Sequence, residues 1–247
     1  MELQSASAAA ATLAAVAFAL ATAERWLDHR RPHELAWSIA LAFFALAAGA
    51  AWWGASFGWT SGSFRVFYAC GAVINVPVLA VGTWYLLAGP ATARVAAFVT
   101  TVGTAFGGGV VFASPLRAPV PGDSLPQGSD VFGPLPRALA ASASGLGAVV
   151  LLGGAVWSVG RLARRSDEYG RRLAVANGLI AAGTLVLSAG GLLNSVLDEM
   201  EGFAVTLVAG IVLLFVGFLV TTPRVAEPHD ATPSPLARGR ARRPRAR

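Results

Sequence analysis

Lysine is absent from all 247 residues, so the chain has no side-chain amine on which a retinal Schiff base could form. Cys70 is the single cysteine, which excludes an intrachain disulfide and a CxxC redox pair; it reads as a small apolar residue of a packed helix. Histidine is limited to His29, His33 and His229, none of them inside a long apolar run. A bis-histidine haem site or a zinc site within a helical bundle therefore has no ligands. Charged residues make up only 13% of the chain, and no Asp or Glu falls near the middle of an apolar run. That removes the usual proton or sodium relay of coupled transporters. No GxSxG or HExxH motif occurs. A membrane enzyme would be left with Arg65, Tyr68, Asn75 and loop carboxylates, so the expectation is a non-enzymatic protein with no cofactor and no metal.

What the chain has in abundance is apolar sequence: 55% of its residues are hydrophobic, and they come in seven blocks rather than in alternation. A bilayer core of about 30 Å needs about 20 helical residues. The blocks predict an all-α polytopic membrane bundle of seven transmembrane helices, at 5–23, 35–54, 65–87, 95–113, 138–159, 173–196 and 203–221. Residues 1–222 form the bundle in this reading, and 223–247 form a disordered arginine-rich tail.

The arginines set an orientation. Arg25, Arg30 and Arg31 follow the first span, Arg94 the third, Arg161, Arg164, Arg165, Arg171 and Arg172 the fifth, and seven more the last. Arg65, Arg117 and Arg137 lie on the other side. The positive-inside rule then places the N-terminus outside and the C-terminus in the cytoplasm. The tryptophans agree: Trp26, Trp37, Trp84 and Trp157 fall at the inner ends, and Trp52, Trp53 and Trp59 at or beyond the outer end of the second span. The first span ends in ALATA, which resembles a signal-peptidase site, but MELQ lacks a positive n-region and the helix reads as retained.

The third span, RVFYACGAVINVPVLAVGTWYLL, is the unusual one. Pro77 has no N–H to give, so the Val73 carbonyl is expected to lose its helical partner, and Asn75 brings an amide to the same turn. A kinked, locally polar helix facing protein is predicted. In the sixth span Asn177, Thr184, Ser188, Gly191 and Ser195 make one polar and small stripe, with Asn194 beside it. The stripe either packs on a helix through hydrogen bonds or lines a hydrated cavity. Facing it to the third span gives a candidate pocket of Arg65, Tyr68, Asn75, Asn177, Thr184, Ser188 and Asn194.

The remaining features read more plainly. Asp28, His29, His33 and Glu34 form a solvated inner turn, because Pro32 separates the histidines and no cysteine joins them. Arg65 either snorkels to headgroups or pairs with an outer carboxylate. The outer loop SPLRAPVPGDSLPQGSDVFGPLPR has six prolines but also Leu116, Val120, Leu125, Val131 and Phe132, so it serves either as a lid over the bundle or as a stiff connector. Asp198, Glu199 and Glu201, with Asp123 and Asp130, give an acidic outer surface. Glycines such as Gly103, Gly107, Gly210 and Gly217 suit close helix packing. The tail, ending RGRARRPRAR, should be drawn to anionic lipid headgroups; no folded module accompanies it that would suggest nucleic acid.

RRPHELAW, GWTSGSFRVFYACGAVINVPVLAVGTWYLLAG and ANGLIAAGTLVLSAGGLLNSVL resemble a family of uncharacterised membrane proteins from high-GC actinobacteria. The resemblance implies an integral plasma-membrane protein and supplies no activity. A looser likeness is to the seven-helix sensor regions of bacterial histidine kinases, without a kinase domain. The sugar-facilitator plan of two three-helix units joined by an extra helix is also similar, and RRPHELAWSIALAFFALAAGA against YGRRLAVANGLIAAGTLVLSAGG is faintly alike; that family's prolines are missing except Pro77. Two functions follow as expectations. One is a sensor or accessory protein, holding a lipid or small apolar molecule near Asn75 and associating with a membrane protein or with itself. The other is a facilitator of an uncharged solute.

Overall fold

The computed structural model describes residues 2–122, 124–162, 168–192 and 200–221. Among them there is helix and no strand: α1 Glu2–His29, α2 Pro32–Phe57, α3 Ser61–Tyr68, α4 Val76–Leu87, α5 Pro90–Ala113, α6 Gly128–Val131, α7 Pro134–Leu162, α8 Glu168–Leu192 and α9 Met200–Thr221. A π-helical segment, Ala69–Asn75, fuses α3 to α4. Five stretches are long and apolar enough to cross a membrane: Gln4–His29, Pro32–Phe57, Ser61–Leu87, Pro90–Ala113 and Pro134–Arg161. Val205–Val220 is a shorter apolar helix. The chain is thus an all-α bundle suited to a bilayer.

Local chemistry explains the joints. α1 ends where Arg30 adopts φ 53 and donates its N–H to the Trp26 carbonyl at 2.7 Å, a left-handed cap made without glycine. Pro32 then opens α2, where its missing N–H costs nothing. α2 stops at Gly58, whose φ of 91 suits glycine and turns Trp59 back over Gly54; a Cβ at 54 would lie 2.3 Å from the indole. Thr60 and Ser63 form a reciprocal capping box that starts α3.

The third span carries a π-helical turn beside its proline. Its backbone loosens to a π register before Pro77, and in an i→i+5 pattern Pro77 falls opposite Ala72 rather than Val73. Ala72 is therefore the carbonyl that loses its partner, and Ser144 of α7 donates its hydroxyl to it at 2.6 Å. Pro77 is accommodated by a hydrogen bond from a neighbouring helix to the carbonyl it leaves unpaired.

The long helices form a closed order. α1 packs on α2 and α9, α9 on α8, α8 on α7, α7 on α4, and α4 on α2. α5 lies outside that ring against α4, the π segment and α7. The alanine-rich α1 supplies Ala11 and Ala15, both fully buried, and Phe18 to a core with Leu41 of α2 and Ile211, Leu214 and Phe218 of α9. Small residues allow that close approach, as the sequence predicts for so weakly hydrophobic a helix. A second core at the other end gathers Trp59, Phe64, Val73, Val111, Val131 and Phe132.

Candidate functional site

Arg65 and Tyr68 lie in and beside that second core. The Arg65 guanidinium donates to the carbonyls of Val111, of Phe112 at 2.8 Å and of Ser114 at 2.7 Å, at the C-terminal end of α5. It caps the orphan carbonyls and meets the negative end of the helix dipole. This replaces both sequence expectations for Arg65: a helix end satisfies the cation more completely than headgroups or a mobile carboxylate would.

The outer loop is a folded cover. Val131 and Phe132 are almost fully buried, and Phe132 stacks on Phe64 at 5.4 Å and meets Tyr68 at a tilt of 50°, centroids 4.8 Å apart. Trp59 donates its N–H to the Gly122 carbonyl at 2.9 Å, and Arg117 its N–H to the Val131 carbonyl at 2.9 Å. The Tyr68 ring passes so close to Gly128 that a Cβ there would lie 2.5 Å from it. Of the two readings of this segment, the packed lid describes the structure. Asp130 is exposed on it, and Asp123 lies outside the described residues.

Asn75 is 8% exposed and makes no side-chain hydrogen bond to a described residue. Gly71 approaches Ala47 and Gly82 approaches Trp37, which places Asn75, between them in register, on the α2 side of the helix. The polar residues of α8 do not join it. α8 packs between α7 and α9, whereas the central helix is flanked by α2, α5 and α7. Asn177 donates to the Leu173 carbonyl at 3.1 Å and Thr184 to the Ile180 carbonyl at 2.9 Å, both within α8. The Ser188 side chain and all of Asn194 lie outside the described residues, as do Asp198 and Glu199. The pocket expected between the third and sixth spans is thus not formed by the described residues. Gly147 and Gly154 let α7 close on Val76 and on Thr83 and Leu87, and α7 takes the place that the sequence reading gave to the sixth span.

The space beside the π segment opens the other way. A crevice of about 310 Å³ lies between α4, α5 and α7, with Pro77, Val81, Thr100, Gly103 and Ser142 among its walls. Two of its hydroxyls are turned inward to their own helices: Thr104 donates to the Thr100 carbonyl at 2.7 Å and Ser142 to the Ala138 carbonyl at 2.8 Å. Such a surface suits an apolar guest. A second, wider groove of about 880 Å³ runs between α1, α2 and α3, with Gly49 and Trp53 on one wall and the Thr60 and Ser63 hydroxyls at one end.

Glu34 is the residue that sequence reasoning misplaced. It is fully buried rather than solvated, and its Oε1 lies 3.3 Å from Arg25 Nε. Trp37, one turn on, packs on Gly82, where a Cβ would lie 2.2 Å from the indole. The spacing Arg25 to Glu34 across a two-residue turn held the signal, since antiparallel helices bring such residues face to face. Among the described residues no group of three His, Cys, Asp or Glu side chains is placed to hold a metal. No protein family, no curated protein and no solved structure matches the chain.

Proposed function

We propose that the chain is a multi-pass protein of a bacterial plasma membrane with seven spans, N-terminus outside, that acts as a non-enzymatic sensor or accessory subunit and holds a lipid or small apolar molecule. The five long apolar helices support the membrane reading, and the packing of α8 and α9 against them in one closed order is compatible with a sixth and a seventh span. The alternation of sixteen inner and three outer arginines supports the orientation. The tail 223–247 carries seven arginines toward anionic headgroups on the inner side. Kinship with the actinobacterial membrane proteins rests on the three quoted segments.

The observation that carries the binding reading is the crevice of about 310 Å³ beside Pro77. It is mostly apolar, the Thr104 and Ser142 hydroxyls on its wall are already bonded within their own helices, and it adjoins the π segment, a rare element that concentrates at functional sites. Native mass spectrometry from nanodiscs tests it. Wild-type protein should retain an added mass, and Gly103→Leu, which fills open space at the crevice wall, should lose it while keeping its fold. A bare wild-type protein would sink the reading, and a co-purifying polypeptide would favour the accessory role alone.

A facilitator for an uncharged solute is the second reading, favoured by the ring of six helices with α5 outside it, which matches two three-helix units and a connector. Asn75→Leu and Ser188→Leu should then abolish solute uptake into proteoliposomes, and unchanged uptake would exclude it.

A further inference from the structure

The first turn of α2 holds a carboxylate with one oxygen unpaired. Glu34 is fully buried; its Oε1 meets Arg25 Nε at 3.3 Å and His33 Nε2 at 4.0 Å, and its Oε2 is buried without a hydrogen-bond partner. A carboxylate offers about four acceptor positions. Leaving one oxygen bare in a desolvated place is costly, because the ion has lost its water without replacement. Arg25 does not grip both oxygens: its guanidinium lies over the Phe218 ring, 4.6 Å from the centroid.

Arginines outnumber the exposed Asp28 in the turn beside Glu34. Arg30 and Arg31 are exposed in the turn between α1 and α2, and Arg30 lies over Trp26, 4.9 Å from the ring centroid. The positive end of the α2 dipole faces the same turn and attracts anions, although Pro32 has no N–H and the Glu34 N–H is given to the Arg31 carbonyl at 3.1 Å. Trp26 and Trp37 bracket the corner, as tryptophans do at headgroup depth. An acceptor for a donating cation and a receiver for an anion therefore stand side by side at one membrane interface.

We propose that this corner binds the headgroup of an aminophospholipid whose nitrogen carries N–H groups. The ammonium donates to Glu34 Oε2, and the phosphate rests against Arg30 and Arg31 near the positive end of the α2 dipole. The inference rests on the membrane reading and is independent of the crevice. Arg25 and His33, with side chains 23% and 15% exposed, flank the carboxylate, and a small shift of either admits the headgroup. Choline lipids carry the same charge without N–H donors, so they fill the shape but leave Oε2 unpaired.

Full-length protein in nanodiscs of matched acyl composition, containing phosphatidylethanolamine or phosphatidylcholine, tests the assignment by lipid retained under mild delipidation. Wild type should retain the ethanolamine lipid about tenfold better, the worth of one charge-assisted hydrogen bond. Glu34→Gln should lose that preference, and Gly103→Leu should keep it. If Glu34→Gln does not fold, stepwise N-methylated ethanolamine lipids on wild type answer the same question, with retention falling as N–H groups are removed. Equal retention of both lipids, or a preference that survives in Glu34→Gln, overturns the proposal. Stabilisation by soluble phosphoethanolamine equal to that by the lipid overturns the bilayer as the source.

Discussion

Arg65 Nη2 donates to the Ser114 carbonyl at 2.7 Å, and this contact ties the central helix to the point where α5 gives way to the outer lid. The same guanidinium serves Phe112 and Val111, so one side chain caps a helix and anchors a cover. Arg65→Gln should lower stability by about 2–4 kcal/mol, since several hydrogen bonds to a charged group are lost together. Limited proteolysis should then cut within 114–133, and a cutting pattern like that of wild type would show that the lid is held by other means.

Phe132 is the lid's apolar anchor, fully buried between Phe64 and Tyr68. Phe132→Ala should cost about 3–5 kcal/mol. Phe132→Leu should cost less, because most of the volume remains. Equal Tm values for wild type and Phe132→Ala would contradict the packing.

Ser144 and Pro77 are coupled through the Ala72 carbonyl. Ser144→Ala leaves that carbonyl unpaired and should destabilise by about 1–3 kcal/mol. In a Pro77→Ala background residue 77 regains an N–H, and the effect of Ser144→Ala should shrink. A double-mutant cycle in detergent measures the coupling, and strict additivity would refute it.

Gly82 is where Trp37 lies against the central helix. Gly82→Ala forces the indole aside and should destabilise by about 1–3 kcal/mol. Trp37→Leu should relieve much of that strain, so the double variant should be more stable than Gly82→Ala alone.

Topology is open to direct labelling. In a Cys70→Ser background, cysteines at Ser129 and Asp167 should react from opposite faces of sealed vesicles. Reaction from the same face would contradict the seven-span orientation.

The apolar runs and the helix break at Pro32 were legible in the sequence, because they depend on local periodicity or on a residue's own backbone preference. The special character of the third span was legible too, since proline removes a donor wherever it stands. Its resolution was not: whether the backbone kinks or loosens to a π register depends on Ser144, which lies on another helix. The polar stripe of α8 could be read as a stripe but not assigned a neighbour, because spacing fixes a face and says nothing of what covers it. Glu34 and Arg65 make the same point about charge. Sequence counts each as a solvated or snorkelling group near a helix end, and only the tertiary structure decided that one is sealed beneath Arg25 and the other capped on α5. Periodicity and backbone chemistry act within a helix and are written along the chain; partners for buried polar groups come from other helices and are set by how the bundle closes.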